Sequence, residues 1–237
     1  MTTKEKVSEK LLLSGGKIIS GQELAEECQM SRAAIWKAIN SLREEGLEIE
    51  GSTNVGYRLL DNDIFNKNIL EKQFISNFPE FKNSHIECFQ KIDSTNTHAK
   101  KILNDCGALR TANGELSEYG KKYHQSIIVA EEQTAGRGRL GRTFVSPKKS
   151  GIYLSIIYAP KGGITSPARI TASSAVAICR AIKKLYNLEP QIKWINDIFI
   201  DGKKICGILA EGLANFENQI IESAIIGIGI NLRQSIS

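Results

Sequence analysis

Apolar residues recur at helical spacing in three short segments near the start of the chain. Thr3 to Leu13 predicts a helix with Val7 and Leu11 on one side and Leu12 beside them, stopped by Gly15-Gly16. Ser20-Gly21-Gln22-Glu23 has the pattern of a capping box: the Ser20 hydroxyl can accept a backbone N–H, and Glu23 can reach back. It predicts a second helix from Gln22 to Cys28. Ser31 can cap a third helix that runs to about Glu45, with Ile35, Ile39 and Leu42 turned to a core and Gly46 ending it. The period then changes. Leu47-Glu48-Ile49-Glu50 and Gly56-Tyr57-Arg58-Leu59-Leu60 alternate as strands do, about the turn Gly51-Ser52-Thr53-Asn54. Three short helices and a two-stranded ribbon describe a winged helix-turn-helix over residues 1–62.

Asp61-Asn62-Asp63 is polar and lacks Gly and Pro, which predicts a short joint. A second domain then spans 63–237. A helix is expected from Ile69 to Phe78, ended by Pro79, then a strand at His85–Phe89 and a helix at Thr97–Leu103. Residues 104–125 are polar and read as a surface excursion, with Asn113-Gly114 as a turn. Ser126–Ala130 and Gly151–Tyr158 are apolar enough for buried strands. Ser166 as N-cap and Pro167 in the first turn open a helix that packs through Ile170, Ile178, Ile182 and Leu185 and ends near Asn187. Gln191–Trp194 reads as extended. Asp197–Ile200 and Lys203–Leu209 form a hairpin about Asp201-Gly202, which suits a type I′ turn, and Ile220–Ile230 is the last strand. The fold class is α+β: a winged helix-turn-helix followed by a central mixed β-sheet backed by helices.

Composition changes this picture only modestly. The 237 residues are 41% hydrophobic and 24% charged, which suits one large or two modest folded domains. The net charge of +5 favours an anionic ligand or nucleic acid without proving one. Cys28, Cys88, Cys106, Cys179 and Cys206 form no Cys-x-x-Cys pair, which argues against a zinc ribbon and fits a reducing cytoplasm. No signal peptide or membrane-length apolar run is expected. Residues 1–60 hold eight Lys and Arg against nine acids, so DNA binding rests on pattern rather than charge. The outer side of the third helix carries Arg32, Trp36, Lys37, Asn40 and Arg43 after Ser31, residue types that bond phosphates and base edges. A helical interaction domain with no nucleic-acid partner is the plainer alternative.

The candidate chemistry lies in two stretches. Glu131 to Arg142 reads "EEQTAGRGRLGR", with three arginines and three glycines in its last seven residues. Guanidinium forks bind carboxylates and phosphates, and glycine lets the backbone come close. Such a loop could wrap an anion, and it is expected to order only when one neutralises it. It could also be a nucleic-acid-binding Arg/Gly tract, although its place between two core strands weighs against that. The second stretch is Lys193-Trp194-Ile195-Asn196-Asp197 with Lys203-Lys204-Ile205-Cys206-Gly207. At period two, Lys204, Cys206 and Ile208 share a face, so Lys204 either snorkels outward or meets a fixed anion. Asp197 is a turn residue or orients an amine or cation. Ser94-Thr95-Asn96 alone reads as a helix cap. His85, His98 and His124 show no metal-ligand spacing, and there is no phosphate-binding Gly-x-x-x-x-Gly-Lys-Ser/Thr.

Taken in order, "STN", "GRGRLGR", "KWIND", "KKICGILAE" and "GIGINL" behind "SGQELAEECQMSRAAIWKAINSLREEG" resemble the bifunctional biotin protein ligases that also act as biotin operon repressors. The resemblance covers nearly the whole chain. It implies a biotin/lipoate ligase-like fold that makes biotinyl-5′-AMP from biotin and Mg-ATP and passes biotin to a lysine of a biotin carboxyl carrier protein. Carried over by position, Ser94, Thr95, Asn96 and Gln133 lie at the biotin ureido ring. Gly136, Arg137, Gly138 and Arg139 close over biotin and phosphate. Lys204 contacts the carboxylate and the α-phosphate, and Gly207 lines the pocket. Arg142, Phe144, Lys193, Asn196 and Asn231 belong to the ATP side, with Asp197 and Lys193 beside Lys204 and Arg139 in the chemistry; no protein metal ligand is implied. The resemblance also implies operator DNA as a partner and a homodimer on ligand binding, in the cytoplasm and away from membranes. Ile195 stands where the family usually has proline, and Phe144 where it has tryptophan. The family's small C-terminal SH3-like domain is not found in the sequence, which predicts an intact biotin pocket with impaired adenylation and transfer. Two other readings are a ligand-sensing repressor without ligase activity and a lipoate ligase relative.

Overall fold

The computed structural model of the chain describes all residues except 1, 53, 61–64, 66, 112, 216–219 and 233–237. Its contacts divide it into two units, Met1–Gln73 and Phe74–Ser237. The division falls inside a helix, α4 (Lys67–Asn77), further along than the expected joint, and Asp61-Asn62-Asp63 lie outside the described residues.

The first unit contains α1 (Thr3–Leu13), α2 (Gly21–Cys28), α3 (Arg32–Glu44), β1 (Ile49–Ser52) and β2 (Gly56–Leu59). Each helix start has a hydroxyl that accepts an otherwise unpaired backbone N–H: Thr2 from Glu5, Ser20 from Glu23 and Ser31 from Ala34. At α1 the box is closed reciprocally, since Thr2 N donates to the Glu5 carboxylate. Gln29 takes a left-handed conformation after α2, and this turns the chain into α3. Val7, Leu11, Leu24, Ile35, Ile39 and Leu42 form a closed core. Leu47 does not join β1. Its N–H bonds back to Leu42 O of α3, so the strand begins only at Ile49. Ile19 forms a pair of backbone hydrogen bonds with Tyr57, which tethers the segment before α2 to the ribbon.

The second unit is built on a seven-stranded sheet in the order β3-β4-β5-β9-β8-β7-β6. The strands are β3 (Ile86–Phe89), β4 (Ile127–Ala130), β5 (Gly151–Tyr158), β6 (Gln191–Lys193), β7 (Asp197–Ile200), β8 (Lys203–Asn215) and β9 (Ile220–Asn231). Only β3 and β4 pair in parallel; the other neighbours are antiparallel. Adjacent β9 residues go to different cores. Ile225 packs with Ala99 and Leu103 of α5 (Thr95–Asp105), and Ile226 with Ala175, Ile178 and Ile182 of α7 (Pro167–Tyr186). Strand alternation therefore places α5 and α7 on opposite faces of the sheet.

Several expectations need correction. The excursion at 104–125 contains a helix, α6 (Glu118–Tyr123), capped by Ser117 and too short to show an apolar stripe; Leu109 beside it is buried. Helix α5 starts at Thr95, not Thr97. Ser166 sits at the N-cap of α7 but makes no side-chain cap bond. Leu185 is 71% exposed, because the packed stripe of α7 runs through Thr171, Ala175, Ile178 and Ile182 and ends a turn earlier. Asp201 and Gly202 both have positive φ, as a type I′ hairpin needs, but β8 continues to Asn215. No helix among the described residues is long and apolar enough to cross a membrane.

Candidate functional site

Beyond the N-terminus of α5, the sheet face it covers is left bare, and a pocket forms there. Its floor is Gly207 of β8 with Gly227 and Gly229 of β9, all on the α5 side. The two β9 positions have no room for a methyl group. A Cβ at Gly227 would fall 2.3 Å from Asn96 Oδ1, and one at Gly229 would fall 2.4 Å from the Phe144 ring.

One wall is polar. Ser94 caps α5, so Thr95 and Asn96 occupy its first turn, and all three are almost fully buried. Gln133 Oε1 accepts from Thr95 N at 2.8 Å, and its Nε2 donates to Ser146 Oγ at 2.9 Å. Ser155 of β5 lies 2.7 Å from Thr95 Oγ1 and 2.6 Å from Asn96 Oδ1. Ser155 has one proton, and the amide oxygen can only accept, so Ser155 donates to Asn96; the single proton of the Thr95 hydroxyl is shared between Ser155 and Gln133 Oε1, 3.1 Å away. Asn96 Nδ2 then donates to Glu211 Oε2 at 2.9 Å. The result is a relay of fixed donors and acceptors under the pocket.

The opposite wall is cationic. Lys204 Nζ lies 2.8 Å from Asp197 Oδ1, which also accepts from Asn196 Nδ2 at 2.8 Å. Arg139 Nη1 donates to Asn196 Oδ1 at 2.7 Å, and Arg137 pairs with Glu211 at 3.5 Å. The loop that carries these arginines is folded as a small hairpin: Gly138 N bonds Arg142 O, Phe144 N bonds Gly136 O, and Arg137 bridges Thr143. Glu211 and Asn196 give the loop's arginines partners within the protein. Gly136 lies under the hairpin, where a Cβ would meet Phe144 O at 2.2 Å. Phe144 rests on the glycine floor, edge-on to buried Tyr153.

The face assigned to Lys204 changes. A bulge shifts the register so that Ile198 pairs with Cys206 but Phe199 pairs with Lys204. Cys206 and Ile208 therefore enter the α7 core, while Lys204 faces the pocket with Gly207. Burial pushes the Cys206 thiol up to about 12, which makes it a poor nucleophile.

The structure thus brings Ser94, Thr95, Asn96, Gln133, Arg137, Gly138, Arg139, Phe144, Asn196, Lys204 and Gly207 to one pocket, with Asp197 behind Lys204. Lys193, Arg142 and Asn231 do not line it. The Lys193 ammonium lies over the Phe199 ring at 5.6 Å, and Arg142 is exposed at the end of the loop. Asn231 lines an adjoining open cleft of about 610 Å³ that shares Phe144 and Lys204 with the pocket. Ser155 and Glu211 were not singled out in the sequence, although each is a polar residue in the middle of an apolar strand. The Trp194–Ile195 peptide is cis.

In the first unit, Trp36 is 50% exposed, Arg32 and Lys37 are exposed, and Asn40 is half-buried. Arg43 has a different job from the one expected. Its Nε donates to Ile49 O and its Nη2 to Gly51 O, so it staples the ribbon to α3. Its guanidinium is committed there because the ribbon's edge carbonyls need donors.

Fold and site together define a class: a mixed-sheet domain with a polar, arginine-lidded pocket, carried behind a helix-turn-helix unit. The chain belongs to the biotin/lipoate A/B protein ligase family, whose profile matches residues 88–231, and an HTH domain profile matches residues 3–58. It is 33% identical over 222 residues to the bifunctional ligase/repressor BirA of Bacillus subtilis (strain 168), covering 93% of this chain and 62% of that protein. It is 30% identical over 224 residues to the Escherichia coli (strain K12) protein of the same name, covering 93% and 61%. The chain therefore spans about three fifths of the length of these relatives. Among solved structures, it is similar to the biotin protein ligase from Aquifex aeolicus in complex with biotin and ATP, at 26% identity and a TM-score of 0.49 over 65% of this chain and 54% of that one.

Proposed function

We propose that the chain is a biotin protein ligase that also binds operator DNA through its first unit. The observation that carries this is the meeting, in one pocket of a chain of this family, of a buried polar relay with Lys204 and two loop arginines. The ureido ring of biotin offers one carbonyl and two N–H groups. Ser94, Thr95, Asn96 and Gln133 supply matching donors and acceptors; Ser155 holds Thr95 and Asn96, and Ser146 holds Gln133. The carboxylate of biotin then attacks the α-phosphorus of ATP, the bond to pyrophosphate breaks, and biotinyl-5′-AMP forms. Two anions must meet, and charge builds on the departing pyrophosphate. Lys204, held against Asp197, and the guanidinium groups of Arg137 and Arg139 offset that charge. The adjoining cleft, with Phe144 on its border and Asn231 in its wall, suits the adenosine end. A lysine amine of the carrier protein next attacks the acyl carbon and releases AMP.

Magnesium enters as part of the substrate Mg-ATP. Arg32, Trp36 and Lys37 on α3 are the contacts proposed for DNA, with the ligand-loaded protein acting as a homodimer.

The test is direct. The protein is incubated with biotin, Mg-ATP and a carrier domain, and the acceptor lysine is examined by mass spectrometry. A biotin-sized mass gain is expected. Biotin binding without that gain would favour a ligand-sensing repressor, and a gain with lipoate in place of biotin would move the chain to the lipoate side of its family.

A further inference from the structure

Strand alternation puts Glu211 of β8 on the pocket face, two residues beyond Leu209 and paired with Ile225 of β9. Its Oε2 lies 2.9 Å from Asn96 Nδ2, and Asn96 Oδ1 lies 2.6 Å from Ser155 Oγ. Asn96 and Ser155 are 4% and 0% exposed, so neither bond competes with bulk water. A carboxylate only accepts, so the amide must turn its NH₂ to Glu211 and its oxygen to Ser155. The Ser155 proton is then committed to that oxygen. What Ser155 has left for Thr95 Oγ1, 2.7 Å away, is a lone pair. The other acceptor near the Thr95 hydroxyl is Gln133 Oε1, at 3.1 Å. Both neighbours draw the Thr95 proton into the wall. Thr95 borders the pocket, so the side of its oxygen that a ligand meets carries lone pairs and no proton.

We propose that Glu211 is a positioning residue that determines specificity. As the acceptor-only end of the relay, it fixes the direction of each bond from Asn96 to Thr95, and so makes the pocket demand an N–H at that point of its ligand. It touches no reacting atom. A neutral amide at position 211 would lift the constraint. It could donate to the Asn96 oxygen, and the Asn96 NH₂ would then turn to Ser155. Ser155 would donate to Thr95, whose own proton would be free to point at a ligand. A ligand with a ring oxygen in place of the N–H would then be accepted. Naming that N–H as one of the two in a ureido ring rests on the ligase reading; the direction of the relay does not.

The probes are biotin and the two cyclic carbamates made by replacing one ureido N–H of biotin with oxygen, titrated calorimetrically against the full chain. The wild type should reject at least one carbamate by roughly a hundredfold or more relative to biotin, because a buried acceptor then faces an acceptor. Glu211→Gln should narrow that ratio roughly tenfold. The ratio cancels any effect through Arg137, 3.5 Å from the other Glu211 oxygen, since that guanidinium meets both ligands alike. Glu211→Gln combined with Asn96→Asp restores the direction: the new amide donates to the new carboxylate, whose other oxygen still accepts from Ser155. This double variant should recover the wild-type ratio to within about twofold. A residue that merely supported the pocket would weaken all the ligands together and would not be rescued. An unchanged ratio in Glu211→Gln, or a narrowed one that the double variant fails to restore, overturns the proposal. If Glu211→Gln fails to fold, the ratio in the double variant decides. Neutron diffraction from deuterated crystals of the ligand-free full chain reads the direction by itself: the Ser155 deuteron should point at Asn96. A deuteron aimed at Thr95 overturns the proposal even where the wild type binds no biotin, the outcome in which the ligase reading fails.

Discussion

Lys204 stands 2.8 Å from Asp197, and its side chain is 42% exposed. An ion pair that open contributes little to folding on its own. The pair matters when a second anion enters. With Lys204 present, a carboxylate or phosphate meets an ammonium already oriented by Asp197 and, through Asn196, by Arg139. With Lys204→Gln, the same ligand meets the Asp197 carboxylate without its counter-charge. We expect that variant to weaken biotinyl-5′-AMP binding by about 2 kcal/mol, the scale of a lost charged hydrogen bond. Biotin methyl ester, which keeps the ureido ring but lacks the anion, should bind both proteins equally. Calorimetric titration with the two ligands checks this; an equal loss for both would mean that Lys204 supports the pocket rather than the charge.

At the scale of elements, the site depends on β9 presenting glycine to the pocket and isoleucine to α7. Gly229→Ala forces a methyl group to within 2.4 Å of the Phe144 ring. Overpacking of this kind costs about 1–3 kcal/mol. The cost should largely vanish in the Gly229→Ala, Phe144→Ala double variant, because the clash has a single partner on the other side. Urea unfolding of the four proteins measures it; additive losses would show that the glycine is needed for the strand and not for the ring. The sequence made the β7–β8 hairpin and β9 legible, since Asp201-Gly202 dictates the turn between β7 and β8 and alternation marks the strands. The three N-terminal helices were legible for a similar reason: Ser20, Ser31 and the apolar spacing act within one turn. What was not legible depends on partners far along the chain. The face of Lys204 is set by a bulge that only pairing with β7 reveals. Arg43 looks like a DNA contact until the ribbon carbonyls are placed beside it. Glu211 looks like an ordinary outward strand residue until Asn96, 115 positions away, donates to it. Helix α6 has six residues and no stripe to read.

For the molecule as a whole, the proposed function requires its two units to speak to one another, and thermodynamics makes that claim testable from either end. If the adenylate raises affinity for DNA by some factor, DNA must raise affinity for the adenylate by the same factor, whatever the structural route. The chain offers a way to watch both ends. It has two tryptophans: Trp36 on α3 of the first unit, and Trp194 after β6 of the second, 50% and 77% exposed. Trp194→Phe leaves fluorescence that reports DNA binding alone. A duplex selected from a random pool by the ligand-loaded protein serves as the operator. We expect biotinyl-5′-AMP to tighten that duplex by roughly fivefold to hundredfold, the usual range of coupling between sites. The same duplex should slow adenylate loss enough to tighten it equally. If Lys37 contacts a phosphate, Lys37→Ala should weaken DNA binding in both ligand states and lower the salt dependence by about one counterion, leaving the coupling factor itself unchanged, because that lysine is exposed. A coupling factor of one, measured from either side, would mean that the two units share a chain but not a function.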